Sequence, residues 1–178
     1  PFAFEGERAR QSAEVAAGAL AEASDAWFRL DTPRAVKVVG DRLPLDVGLR
    51  VADDVLRQAL EGLCSLLQEG GWIEVGPLAV REALADRGEG WLAVGTGRGE
   101  DRARRAMEAA LASPLLDMGP LRRARSALVH LAGDAELSVH DVSAAMEVLR
   151  ARLAPDCRMV VGCGGCATAS LLDACEGP

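Results

Sequence analysis

The sequence predicts a mixed α/β (α+β) domain built around one long helix, on three observations. Apolar residues recur at helical spacing from Leu45 to Gly71; short apolar strand-like runs alternate with helical patterns on both sides of it; and Gly or Pro stands where most of these patterns end. From Glu7 to Ser24 an Ala-rich stretch carries Ala13, Ala16, Ala17, Leu20 and Ala21 on one helical face, and the run Ala26-Trp27-Phe28-Arg29-Leu30 follows as a strand before the turn residues Asp31-Thr32-Pro33. In the long helix Leu45, Leu49, Ala52, Leu56, Leu60, Leu63 and Leu67 recur every three or four residues, and Gly70-Gly71 supplies the left-handed conformation with which helices often end. Cys64, inside this helix, is expected in the core. Beyond it the pattern predicts a loop at Trp72 and Ile73, a helix near Leu78–Asp86, and a strand near Trp91–Val94. A glycine-rich turn, Gly95-Thr96-Gly97-Arg98-Gly99, then leads into a helix from Glu100 to Ser113 that Pro114 stops. A strand near Ser126–Leu131 with Ala127, Val129 and Leu131 on one face, a helix near Ser138–Leu153 and a last strand near Arg158–Val161 complete the order.

Composition removes several function classes. The 178 residues carry 20 Lys+Arg against 27 Asp+Glu, a net charge of −7, so nucleic acid and anionic membrane surfaces find no general basic footprint. No apolar run reaches the ~20 residues of a membrane span, and no signal peptide pattern opens the chain. Five Cys are too few and too irregular for a disulfide scaffold, which points to a reducing, cytoplasmic setting. The chain opens on Pro1 without Met, as a segment of something longer would.

Three constellations invite a chemical reading. The Gly95–Gly99 turn resembles a phosphate cradle in leading to a helix N-terminus, but Glu100 and Asp101 put negative charge where a phosphate would sit, and the spacing matches neither G-x-G-x-x-G nor the Walker pattern. It is read as a structural turn. Cys163-Gly164-Gly165-Cys166, flanked by Cys157 and Cys175, could hold zinc, an iron–sulfur cluster or a redox disulfide. Cys163 and Cys166 are thus weak metal candidates against the plainer reading of loop and core cysteines. His130 in a strand and His140 beside Asp141 lack the partners of a catalytic base.

Four blocks then converge. The opening Pro1-Phe2-Ala3-Phe4-Glu5-Gly6, the segment Leu49-Arg50-Val51-Ala52-Asp53-Asp54-Val55-Leu56-Arg57-Gln58, the run Gly99-Glu100-Asp101-Arg102-Ala103 and the stop Ser113-Pro114-Leu115-Leu116 resemble, in order and spacing, the FtsZ family of bacterial tubulin-like cell-division GTPases. The resemblance runs from Pro1 to about Gly162. It implies residues 1–44 as the tail end of the GTP-binding domain, 45–71 as the central connecting helix and 72–178 as an FtsZ-like C-terminal sheet domain with flanking helices. It also implies a filament subunit that self-associates as a homo-oligomer or with a second FtsZ-like subunit. GTP would be bound only in a full-length parent, because the phosphate loop lies in the half that is absent here; no cofactor is expected in this segment.

Carried over by position, the resemblance makes Glu5 the ribose contact and Asp53 the acid that hydrogen-bonds the guanine edge. Leu49 stands where an aromatic stacks on the base, Thr32 where an Asn lies near it, and Ala9, between Arg8 and Arg10, where an Arg meets the phosphates. The family's activating loop, Asn-x-Asp-x-x-Asp, enters the next subunit's nucleotide site and orients the attacking water. Here its places are Glu74, Gly76 and Ala79, so two acids are lost and Pro77 stiffens the loop. No catalytic residue is therefore expected, and the leaning is against an enzyme. Two other readings stand beside this one: a dimerisation module that pairs through the Ala-rich first helix and the Trp27-Phe28 strand, and a thiolate metal or redox site.

Overall fold

The computed structural model describes residues 2–28, 30, 33, 44–68, 70–85, 88–113 and 121–165. Thr32, Pro114, Cys166 and Cys175 lie outside the described residues. A short 3-10 turn, Ala3–Glu5, leads into α1 (Gly6–Ala23), β1 (Ala26–Phe28), α2 (Leu45–Leu67), α3 (Pro77–Leu84), β2 (Gly88–Gly90), α4 (Arg102–Leu111), β3 (Ser126–Gly133), α5 (Val139–Arg150) and β4 (Arg158–Gly165). Each helix has a local reason to begin or end where it does. Pro44 precedes α2 and its carbonyl accepts from the amides of Val47 and Gly48; Pro77 occupies the first position of α3, where its missing N–H is no loss. Ser138 and Asp141 cap α5 reciprocally: the Asp141 amide donates to the Ser138 hydroxyl oxygen at 3.1 Å, and the Ser138 amide donates to the Asp141 carboxylate at 2.9 Å. The Ser138 hydroxyl also donates to that carboxylate at 2.7 Å, and this bond, together with the one from the Ser138 amide, holds the Asp141 carboxyl below the usual carboxylate range.

The C-terminal half rests on a β3-α5-β4 unit, two parallel strands joined by a crossover helix and paired in register from Ser126↔Arg158 to Gly133↔Gly165. Strand alternation sends Val129, Leu131 and Cys163 to one face, where Ala103, Met107 and Leu111 of α4 and Ala145, Met146 and Leu149 of α5 cover them. Leu128 and Val160 point to the other face, against Leu63 and Leu66 of α2, Val75 and Val80. Burial on both faces explains why β3 reads as a nearly continuous apolar run. At β4 the second layer is admitted by a missing side chain: a Cβ on Gly162 would lie 2.4 Å from Leu66 Cδ2 and 3.0 Å from Val75 Cγ2.

Several sequence expectations need correction. The strand placed at Trp91–Val94 is not formed; β1 instead pairs in parallel with Gly88–Gly90, where Gly90 leaves room for the Phe28 ring. β4 continues past Val161 to Gly165, because its last residues pair with both β3 and the loop before α3. Helix α2 stops at Leu67, where Gln68 turns extended, and Gly70 takes its positive φ of 97° three residues later. Among the described residues, α2 contributes to the core through Leu63 and Leu66 in its C-terminal turns. Leu45, Leu49, Leu56 and Leu60 are exposed, and so is Cys64, which lies one residue, or about 100°, around the helix from Leu63. No side chain of α1 is buried.

Two outcomes follow from this packing. Gly162→Ala forces its Cβ into Leu66 and Val75 and is expected to lower unfolding stability by about 1–3 kcal/mol in urea titrations, whereas Gly76→Ala, with open space around its Cβ, is expected to stay within about 0.5 kcal/mol. Half-buried His130 has its pKa lowered by desolvation, so the folded state disfavours its charged form. Stability from this group is complete above about pH 6.5 and falls as the pH drops toward the lower folded-state pKa. Urea titrations at pH 7.5 and 5.5 should show that loss in the native chain and a smaller one in His130→Asn.

Candidate functional site

The loop between α2 and α3 is built onto the edge of β4. The Ile73 amide donates to the Cys163 carbonyl at 3.1 Å and the Cys163 amide donates to the Ile73 carbonyl at 3.0 Å, an isolated antiparallel bridge. Gly71 makes the approach possible, since a Cβ there would come within 2.9 Å of the Cys163 carbonyl oxygen. Val75 is buried beside Gly162, which turns the neighbouring Trp72, Ile73 and Glu74 outward, all three exposed. The loop is thus held at one end by backbone bonds and at the other by a buried side chain.

Its chemistry is sparse. The Glu74 carboxylate folds back and accepts from the Gly70 amide at 2.8 Å, closing the turn after α2. Gly76 is the residue before α3, in ordinary extended conformation. Ala79 is half-buried against Leu66, Val75 and Val80, and its amide donates to the Gly76 carbonyl. At these three positions the only carboxylate already serves as a backbone acceptor, and the other two side chains cannot accept or orient a water.

The described residues expected around a nucleotide lie on three elements, the 3-10 turn, α1 and α2. Glu5 lies on the 3-10 turn, where its carboxylate accepts from the Phe2 amide at 2.6 Å. Leu49 and Asp53 share one exposed face of α2, one turn apart. No hydrogen bond or ion pair among the described residues joins Glu5 to Asp53. Ala9 is half-buried on α1, where Arg10 pairs with Glu7 at 2.7 Å.

The glycine-rich segment is a packing device. A Cβ on Gly95 would meet the Ala106 carbonyl at 2.1 Å, and one on Gly97 the Arg102 carbonyl at 1.9 Å, so at these two glycines the segment lies directly against the backbone of α4. Asp101 enters α4 with φ 57° and pairs with Arg104, whose guanidinium is held further toward its charged form by that hydrogen bond. Next to it is a contact that sequence reasoning missed. Arg102, only 7% exposed, donates through both terminal nitrogens to the two Asp134 oxygens at 3.0 Å each, a bidentate pair between α4 and the end of β3. Nothing in the local spacing of the two residues announces it.

The cysteine reading changes most. Cys163 is a strand residue, 3% exposed, facing the α4–α5 side of the core, and burial pushes its thiol up, away from the thiolate that binds metal or carries redox chemistry. Cys157 is also pushed up, by burial and by Asp156. Among the described residues no group of three or more His, Cys, Asp or Glu could hold a metal ion. His140 is exposed in the first turn of α5. No helix among the described residues is long and apolar enough to cross a membrane.

Comparison with known proteins gives the same frame. Residues 88–168 match the FtsZ family, C-terminal domain. The cell division protein FtsZ of Coxiella burnetii is 31% identical over 162 residues, 91% of this chain and 42% of that protein. FtsZ of Haloferax mediterranei is 30% identical over the same shares. An empty FtsZ dimer from M. jannaschii superposes with a TM-score of 0.87 at 27% identity over 96% of this chain and 49% of that one. The chain therefore spans less than half the length of the curated relatives it matches. With its βαβ unit, long helix and helix-flanked parallel strands in the same arrangement, the chain belongs to the FtsZ family of cell-division cytoskeletal proteins and corresponds to its C-terminal portion.

Proposed function

We propose that the chain is part of an FtsZ-type filament subunit whose loop docks on a neighbouring subunit without triggering GTP hydrolysis. The observation that carries this reading is the state of the loop: Glu74 is engaged by the Gly70 amide, and Gly76 and Ala79 offer no acceptor. Orienting water for attack on a phosphate needs a carboxylate or amide within hydrogen-bond reach. Docking needs only a rigid surface, and the Ile73–Cys163 bridge keeps the loop rigid. In this reading residues 1–44, 45–71 and 72–178 are the end of a GTP-binding domain, the connecting helix and the C-terminal domain of a cytoplasmic protein. GTP belongs to the longer parent, and the partner is a second FtsZ-like subunit, as a homo-oligomer. The β1–β2 pairing ties the first piece to the third by backbone bonds.

A second reading, an interaction module without nucleotide, is favoured by one feature. α1 buries no side chain, with Val15 75% exposed, and Leu49, Leu56 and Leu60 of α2 are exposed as well. These are faces that a further piece of protein would cover.

Mixing the chain with a GTP-hydrolysing FtsZ such as the Coxiella burnetii protein separates the readings. The native chain should lower GTP turnover per FtsZ subunit in proportion to its concentration, by occupying the docking end without activating it. A variant carrying Glu74→Asn, Gly76→Asp and Ala79→Asp should restore turnover by about tenfold or more, the scale of a positioned acid–base group. Equal turnover with both chains overturns the hydrolysis argument, and a chain that pairs only with itself in light scattering supports the second reading.

A further inference from the structure

Helix α2 carries two lines of side chains along its exposed surface, one apolar and one charged. Leu45, Leu49, Leu56, Leu60 and Leu67 are each more than a third exposed, and at about 100° per residue they fall within about 60° of the helix circumference. They form one stripe about 33 Å long. A contiguous apolar patch of this kind marks an interaction surface. Beside it, within a similar arc, stand Arg50, Asp54, Arg57 and Glu61, each keeping more than a third of its side chain exposed.

We propose that this face of α2 binds a second copy of the chain, antiparallel, about a two-fold axis at Leu56. The proposal rests on the self-pairing of the second reading above and gives it a surface. The order of the charges selects the occupant. From the N-terminal end they run positive, negative, positive, negative, so an antiparallel copy sets Arg50 against the partner's Glu61 and Asp54 against the partner's Arg57, with the reverse pairs by symmetry. A parallel copy in register sets like charge on like. The leucines obey the same axis. Leu45 and Leu67 stand eleven residues to either side of Leu56, so each meets the other across the axis, Leu56 meets itself, and Leu49 falls between the partner's Leu60 and Cys64. The ion pairs already on α2, Arg50 with Asp46 at 3.7 Å and Arg57 with Asp54 and Glu61 at 3.3 and 2.6 Å, are partly solvated and contribute little alone. Such a rim sets orientation, and burial of the leucines supplies the driving force. Leu49 and Asp53, the positions expected beside a guanine base, are exposed on this side of the helix, so pairing and nucleotide contact compete for the same side chains.

Light scattering of the 178-residue chain, diluted from about 100 μM through the micromolar range of weak specific interfaces, should show a monomer–dimer equilibrium. Leu60→Glu changes the most exposed of the five leucines, at little cost to the monomer, and should weaken pairing by about thirtyfold or more, the scale of an interface hot spot. Arg50→Glu should also weaken it, and adding Glu61→Arg should restore it. Orientation is read by Leu49→Cys under mild oxidation. Position 49 lies about 22 Å along the helix from Cys64, too far for a disulfide within one chain, so a 49–64 linkage mapped by mass spectrometry forms only between antiparallel copies. A monomer at every concentration overturns the proposal and leaves the face to another piece of protein, while the loop reading, measured by GTP turnover, is untouched. A dimer that Leu60→Glu leaves intact, or one linked 49–49 and 64–64, overturns the proposed surface or its orientation while self-pairing stands.

Discussion

The pair of backbone hydrogen bonds between Ile73 and Cys163 is the constraint on which the candidate site depends. It joins the end of the long helix to the middle of the core, because Cys163 pairs with β3 and sits under α4 and α5 while its own N–H and C=O hold the loop. Two hydrogen bonds contribute about 1–3 kcal/mol net, a modest figure, but their geometric effect is larger. They fix residue 73, and two residues later Val75 drops into the layer between Leu66 and β4. Little freedom is left for Glu74 between them. The glycines at 71 and 162 are what allow this approach: side chains at either position would hold the loop away from the strand.

A second fixed point lies across the sheet. Arg102 is almost wholly removed from water, and its guanidinium is matched by both oxygens of Asp134, a residue that keeps more than a third of its side-chain surface exposed. A charge buried on one side and partly solvated on the other has a smaller desolvation cost than a fully buried pair. Asp134 also accepts from the Glu136 amide, so one carboxylate orders the turn from β3 into α5 and anchors the start of α4. Gly95 and Gly97 then let the preceding segment lie on α4 at backbone distance. The family match at Gly99-Glu100-Asp101-Arg102-Ala103 thus falls on a structural joint, where Asp101 and Arg102 are engaged by Arg104 and Asp134 and Ala103 is buried.

Most of this architecture was legible in the sequence, for reasons that differ by element. The leucines of α2 at spacings of three and four, the Ser138 start and the apolar run of β3 are local signals, and they specified their elements to within a few residues. The failures came where a contact distant in sequence decides. β4 runs to Gly165, beyond the expected end near Val161, because Ile73 supplies a partner. Cys163 looked like half of a metal pair until strand alternation turned it inward. Cys64 was expected in the core from its place inside α2, yet it is exposed, one residue around the helix from the packed Leu63. Arg102 and Asp134 stand 32 residues apart, beyond any local pattern. The loop positions Glu74, Gly76 and Ala79, by contrast, came from the family resemblance, and the engagement of Glu74 by Gly70 came only from the structure.

That engagement bears on how the loop would act in a filament. With its carboxylate folded back, the outward side chains are Trp72 and Ile73, joined by Leu78 on the first turn of α3, 68% exposed. Burying three such side chains against a partner contributes several kcal/mol at about 25 cal/mol per Å², before the entropy of association is subtracted. The same burial expels water. In a loop that activates hydrolysis the polar side chains must hold one water in place against the substrate, and an apolar rim works against that. The two features are therefore consistent at one site. In the proposed reading, Gly76 and Ala79 stand where acids would order water and the neighbouring apolar residues favour a dry contact, so the same short stretch of chain would support adhesion between subunits without phosphate chemistry.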